Sequence, residues 1–128
     1  MSVTILVIDD DDGILDATKD VLEDEGYTVL TSTTPAIVER LAEAGGPRPQ
    51  LILLDVFLSG SDGRDVCRHL KAGPATRAIP VILMSAHPGA RSGAFASGAD
   101  SFLPKPYDLD ELLVNVESCL QLKHGEQH

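Results

Sequence analysis

The run Leu51-Ile52-Leu53-Leu54-Asp55 decides the architecture. Four consecutive large apolar residues leave no polar alternation, so neither face of such a strand can meet water. Strands buried on both faces belong to parallel sheets covered by helices on each side. Val81-Ile82-Leu83-Met84 repeats the signature and closes in Ser85-Ala86. Val3–Ile8 reads as a first strand that stops at the acidic run Asp9–Asp12, and Tyr27–Leu30 and Phe102-Leu103 supply two shorter strands.

The segments between these runs carry helical spacing. Ile14, Leu15, Thr18, Val21 and Leu22 recur at three and four positions and end at Gly26, a residue suited to the left-handed position just past a helix. Thr34-Pro35 reads as the cap and first residue of a second helix, which Gly45-Gly46-Pro47 ends. Val66, Cys67 and Leu70 line a third, closing near Gly73-Pro74. Pro88–Ala99 holds three glycines and one large apolar residue, Phe95, which makes a fourth helix weak on propensity. Asp108 and Glu111 form a capping pattern before a fifth, striped by Leu109, Leu112, Leu113, Val116, Cys119 and Leu120. The expectation is one three-layer α/β domain over residues 1–122, with a five-stranded parallel sheet flanked by five helices. A polar tail at 123–128 follows. Strand order does not follow from periodicity.

Composition removes several classes. With 128 residues the chain fits a single core. Its 20 acidic residues against 10 Lys and Arg give a net charge of −10, which opposes direct binding of nucleic acid. The longest apolar runs fall far below the roughly 20 residues that cross a bilayer. The start Met-Ser-Val-Thr has neither a basic segment nor a long apolar one, so a cytoplasmic location without membrane insertion is expected. Cys67 and Cys119 sit in helical patterns and read as small buried apolar residues.

Ligands of an open α/β sheet bind beyond the carboxyl ends of its strands. Asp9–Asp12, Asp55, Ser85 and Lys105 all fall there, and because parallel strands point one way, they converge on one edge. Crowded carboxylates repel and raise one another's pKa values unless a cation intervenes. Oxygen-only ligation selects a hard ion such as Mg²⁺, with Mn²⁺ as a substitute. The spaced ligands and closing Glu of a calcium loop are absent from Asp9–Gly13, and no glycine-rich phosphate loop is present. Carboxylate, cation, hydroxyl and ammonium together suit phosphoryl transfer onto a carboxylate, which needs positioning and neutralised oxygens more than a base.

The motifs Ile5-Leu6-Val7-Ile8-Asp9-Asp10-Asp11, Leu53-Leu54-Asp55, Asp62-Gly63, Met84-Ser85-Ala86, Gly98-Ala99-Asp100 and Lys105-Pro106 also resemble, in order and spacing, the receiver domains of two-component response regulators, including the stand-alone chemotaxis type. The resemblance implies a flavodoxin-like, doubly wound fold. It implies that Asp55 is the phosphoacceptor, charged by a sensor histidine kinase, a histidine phosphotransfer protein or a small phosphodonor. Asp10, Asp55 and the Phe57 carbonyl would ligate Mg²⁺, with Asp9 acting through water. Lys105 would pair with the phosphoryl oxygens, and its bond to Pro106 would be cis. Ser85 would close on the phosphoryl group, Phe102 would be an aromatic switch, and the Val56 and Ala86 backbone N–H groups would bind the remaining oxygens. Such a protein assists its own phosphorylation and, with Mg²⁺, its own dephosphorylation, rather than turning over a metabolite. The fourth helix, fifth strand and fifth helix would present the output surface to a downstream protein or to a second copy in a homodimer.

Three departures stand out. Ser59 replaces a proline frequent in the family, Phe57 places a bulky ring beside the acceptor where it is expected to restrict attacking water, and His87-Pro88 precedes the glycine-rich stretch. Those glycines are expected to hold the fourth helix close to local melting. The alternative is a receiver that keeps the fold and binds partners without phosphorylation. A phosphatase of similar build is the more distant one, disfavoured because no segment is long enough for a cap over a substrate.

Overall fold

The computed structural model describes residues 3–43 and 45–125. Five parallel strands, β1 (Thr4–Ile8), β2 (Thr28–Ser32), β3 (Leu51–Asp55), β6 (Val81–Ser85) and β7 (Ser101–Pro104), form one sheet in the order β2-β1-β3-β6-β7. The helices are α1 (Asp12–Asp24), α2 (Ile37–Leu41), α3 (Gly63–Ala72), α4 (Ala90–Ala96) and α5 (Leu109–Gly125). This strand order is the flavodoxin-like doubly wound arrangement, with the crossover reversing between β1 and β3. A two-stranded hairpin, β4 (Phe57–Leu58) with β5 (Ser61–Asp62), follows β3 directly.

The period of two along the strands sorts their side chains into two cores. Leu6, Ile8, Ile52, Leu54, Leu83 and Phe102 face Val38, Leu41, Cys67, Leu70 and Ala94 from α2, α3 and α4. Ile5, Val7, Leu51, Leu53, Ile82, Met84 and Leu103 face Leu15 and Leu22 of α1 and Leu112, Val116 and Cys119 of α5. All of β3 and β6 is buried, as their unbroken apolar runs require. Each Leu or Ile withdrawn from water there contributes on the order of 1.5–3 kcal/mol. Both cysteines are buried and unbridged.

Several local expectations hold. Gly26 ends α1 at φ +96°, its N–H bonded to the Glu23 carbonyl. The Asp108 carboxylate accepts the Glu111 N–H at 2.7 Å and opens α5. Others shift. The second helix starts at Ile37 rather than Pro35, because the Val38 and Glu39 N–H groups bond the Pro35 and Ala36 carbonyls three residues back, so Pro35-Ala36 form a tight turn ahead of it. The fourth helix is only Ala90–Ala96, with Gly89 and Gly98 flanking it rather than inside it. α5 runs on to Gly125, past the expected boundary at 122, and residues 126–128 of the expected tail lie outside the described residues. The β4–β5 hairpin was not anticipated: two-residue strands leave no periodic signal, and only Gly60, at φ +76°, marks the turn. Among the described residues, no helix is long and apolar enough to cross a membrane.

Candidate functional site

The carboxyl edge of the sheet gathers residues that are remote in sequence. Asp9 leaves β1, Asp55 ends β3 and Lys105 follows β7. Register explains the meeting: β1 lies beside β3 with Ile8 opposite Leu54, and β3 beside β6 with Asp55 opposite Met84. One carboxylate oxygen from each of Asp9, Asp10 and Asp55 can be chosen so that all three lie within 4.8 Å of one another. Lys105 Nζ reaches Asp9 Oδ2 at 2.6 Å and Asp55 Oδ1 at 3.4 Å.

Each group is held in place. Asp9, 1% exposed, also accepts the Asp11 N–H on its other oxygen at 3.0 Å. Asp10 is exposed, and its Oδ2 accepts both the Ser59 N–H at 3.1 Å and the Ser59 hydroxyl at 2.9 Å. A proline at position 59 would have no N–H to give, so the departure noted in the sequence has a local purpose: Ser59 orients Asp10. Sequence reasoning missed this role because the two residues are brought together only by the hairpin. The Lys105 N–H bonds the Ser85 carbonyl at 2.9 Å, and the Lys105–Pro106 peptide is cis, as the resemblance implied.

The electrostatics favour an added cation. Burial is the largest effect on Asp55 and raises its carboxyl pKa; Lys105 pulls it down, but Asp9 and Asp10 add to the rise, which prevails. Burial alone would lower the Lys105 pKa, yet its bonds to Asp9 and Asp55 outweigh that and hold it above its ordinary value. Asp9 and Asp55 thus share one ammonium, and Asp10, close to both, has none of its own within bonding distance among the described residues. The donor set is all oxygen and the cluster opens to solvent at Asp10, so these residues fit a hard divalent ion such as Mg²⁺.

The remaining candidates surround this cluster. Ser85 is buried at the end of β6, and its Oγ accepts the His87 N–H at 3.0 Å. Ala86, beside it, is exposed. Phe102 is turned inward in β7, 7% exposed, opposite Leu83. Phe57 is 47% exposed, and its ring meets the His87 ring edge-on at a centroid distance of 4.6 Å. The Val56 assignment does not stand. Its N–H already bonds the Met84 carbonyl at 2.9 Å as part of the sheet, so offering it to a ligand would break that bond. An apolar hollow of about 350 Å³, lined by Ile14, Thr18, Tyr107 and Leu109, adjoins the site and shares Lys105 with it.

Known proteins place this arrangement. The sequence pattern of the response regulator receiver domain matches residues 5–117. The response regulator MprA of Mycobacterium ulcerans is 35% identical over 123 residues, which cover 94% of this chain and 51% of that protein. The response regulator PleD of Caulobacter vibrioides is 41% identical over 125 residues, covering 96% of this chain and 27% of that protein. The chain therefore spans about half the length of MprA and less of PleD. A CheY-like response regulator receiver domain protein from Methanospirillum hungatei has a crystal structure that superimposes with a TM-score of 0.87 at 25% identity, covering 98% of this chain and 99% of that one. With the pattern running from β1 to α5 over a sheet of matching topology, the chain belongs to the response regulator receiver domain family.

Proposed function

We propose that this domain is a phosphorylation-dependent switch in which Asp55 accepts a phosphoryl group from the phosphohistidine of a histidine kinase or phosphotransfer protein. The observation that carries the reading is the gathering of Asp9, Asp10 and Asp55, with the Lys105 ammonium paired to Asp9 and Asp55. An Asp55 oxygen forms the new bond to phosphorus as the bond from phosphorus to the imidazole nitrogen breaks, and that nitrogen then takes up a proton. Lys105 offsets charge on the transferring oxygens, and the Ala86 N–H and Ser85 hydroxyl donate to them. Asp9, Asp10, Asp55 and the Phe57 carbonyl would hold Mg²⁺, which when bound supplies further neutralisation of the phosphoryl oxygens. Reset follows when a water oxygen attacks phosphorus, the acyl oxygen–phosphorus bond breaks, and the Asp55 carboxylate and inorganic phosphate are released.

Readout begins when the added dianion draws Ser85 toward it, changing the space above Phe102 and the face made by α4, β7 and α5. A downstream protein or a second copy of the chain binds that face, in the cytoplasm. The decisive experiment is intact-mass measurement after incubation with Mg²⁺ and acetyl phosphate. A gain of about 80 Da, absent in Asp55→Asn and blocked by a chelator, supports the switch. No gain at any donor concentration favours the reading as an interaction module that needs no phosphorylation.

A further inference from the structure

Arg64 occupies a position the acceptor chemistry does not use. It stands in the first turn of α3, and its guanidinium grips the Asp62 carboxylate: Nη2 donates to Oδ2 at 2.7 Å, and Nε donates to both oxygens at 3.0 and 3.2 Å. Its own backbone N–H bonds the same carboxylate at 2.8 Å. Asp62 in turn is the hairpin partner of Phe57, the residue two places after Asp55. The guanidinium carbon lies 5.8 Å from the centre of the Phe57 ring, within cation–π range. Phe57, Asp62 and Arg64 thus form one small body attached to the acceptor strand.

The far side of that body rests on α4. A Cβ built on Gly93 would lie 3.0 Å from Arg64 Nη1 and 3.2 Å from Arg64 Cδ, so at this approach any larger residue requires Arg64 to give by a few tenths of an ångström. This gives Gly93 a packing reason distinct from helix weakness. Phe57 also touches His87, whose N–H is bonded to the Ser85 hydroxyl. Both loops that flank Asp55 therefore reach the Phe57 ring, and Arg64 carries the contact from that ring to the middle of α4.

We infer that Arg64 is a positioning residue that couples the Phe57 hairpin to α4 through the close contact at Gly93, so that phosphorylation of Asp55 alters α4 by this route. The inference rests on the phosphoacceptor reading above. A shift of the Phe57 backbone moves Arg64 with it, because the Asp62 clamp leaves the guanidinium little freedom. The close contact at Gly93 then passes that movement to α4.

Hydrogen exchange over residues 90–96, measured with and without acetyl phosphate and Mg²⁺, tests this in four proteins: the natural sequence, Arg64→Ala, Gly93→Ala and the double variant. Intact mass gives the phosphorylated fraction of each sample. Phosphorylation is expected to change α4 exchange in the natural protein. In Arg64→Ala, phosphorylated to the same extent, that change should shrink about threefold or more. Gly93→Ala keeps the Asp62 clamp yet should also alter the response, and it should have no further effect once Arg64 is gone. A full response in phosphorylated Arg64→Ala, or independent addition of the two substitutions, overturns the inference. Mass gain without any α4 change in the natural protein overturns it alone, whereas no mass gain removes the acceptor reading as well.

Discussion

Replacing Lys105 with Met keeps most of the stem and removes the ammonium that faces two buried carboxylates. At 2.6 and 3.4 Å, and with an effective dielectric near 20, the lost attractions are roughly 6 and 5 kcal/mol before desolvation of the lysine is subtracted. Breaking one partner of a buried pair typically costs about 3–5 kcal/mol. Here a second limit applies, because a carboxylate left without its cation can take up a proton. At pH 7, protonating a carboxyl group of ordinary pKa costs about 4 kcal/mol, falling by about 1.4 kcal/mol per pH unit. Asp55, raised already by burial and by Asp9 and Asp10, reaches that limit sooner. The variant should therefore be about 3 kcal/mol less stable than the natural protein at pH 7 in the presence of a chelator. The sign follows from proton binding: the variant's folded state holds a proton that its unfolded chain lacks at neutral pH, so its stability falls as pH rises. Urea unfolding followed by circular dichroism between pH 5 and 7.5 reads the gap directly, and Mg²⁺ should narrow it by replacing the missing charge. A gap that is the same at both ends of that range, or below about 1 kcal/mol throughout, would falsify the claim that Asp9 and Asp55 share one ammonium.

Other outcomes follow from particular contacts. The Arg64 hydrogen bonds hold the Asp62 carboxyl below its ordinary pKa, so its contribution is present above about pH 4 and lost as pH falls through the depressed value. Asp62→Asn should flatten the acid limb of the stability profile, and an unchanged limb in acid titration would contradict it. Gly98 has φ +98°, and a Cβ there would stand 3.1 Å from Lys71 Cγ, whose ammonium bonds Asp100 at 2.8 Å. Gly98→Ala should cost about 1–2 kcal/mol in a urea titration from backbone strain, whereas a stability gain would show that this strain is absent. Burial raises the Cys67 and Cys119 thiol pKa values, so both should resist a water-soluble disulfide reagent until urea unfolds the chain. Fast labelling of either thiol in the folded protein would refute their burial.

The relation between local and tertiary information differs from residue to residue. Leu51–Leu54 and Val81–Met84 announced central strands because a run without polar alternation can survive only where both faces are covered. Once those strands are parallel, Asp9, Asp55, Ser85 and Lys105 must reach one edge, so the core of the site was legible from position along the chain. Thr34-Pro35 misled because the same residues suit a tight turn and a helix start, and only the backbone bonds reaching three residues back at Val38 and Glu39 distinguish the two. Val56 misled for a related reason: its N–H faces β6, and whether a backbone donor is free depends on which strand lies beside it.

Strand order and register, which put β1 between β2 and β3 and Asp55 opposite Met84, came only with the fold. So did the Ser59 bonds to Asp10 and the Arg64 contact at Gly93, residues separated by 49 positions in the first case and lying on α3 and α4 in the second. The sequence by itself determined which segments are buried on two faces and which polar residues end them, because burial of apolar runs is a local, additive demand. The tertiary structure decided which hydrogen-bonding groups remain available and which side chains touch, because directional bonds and close contacts depend on neighbours that no single segment specifies.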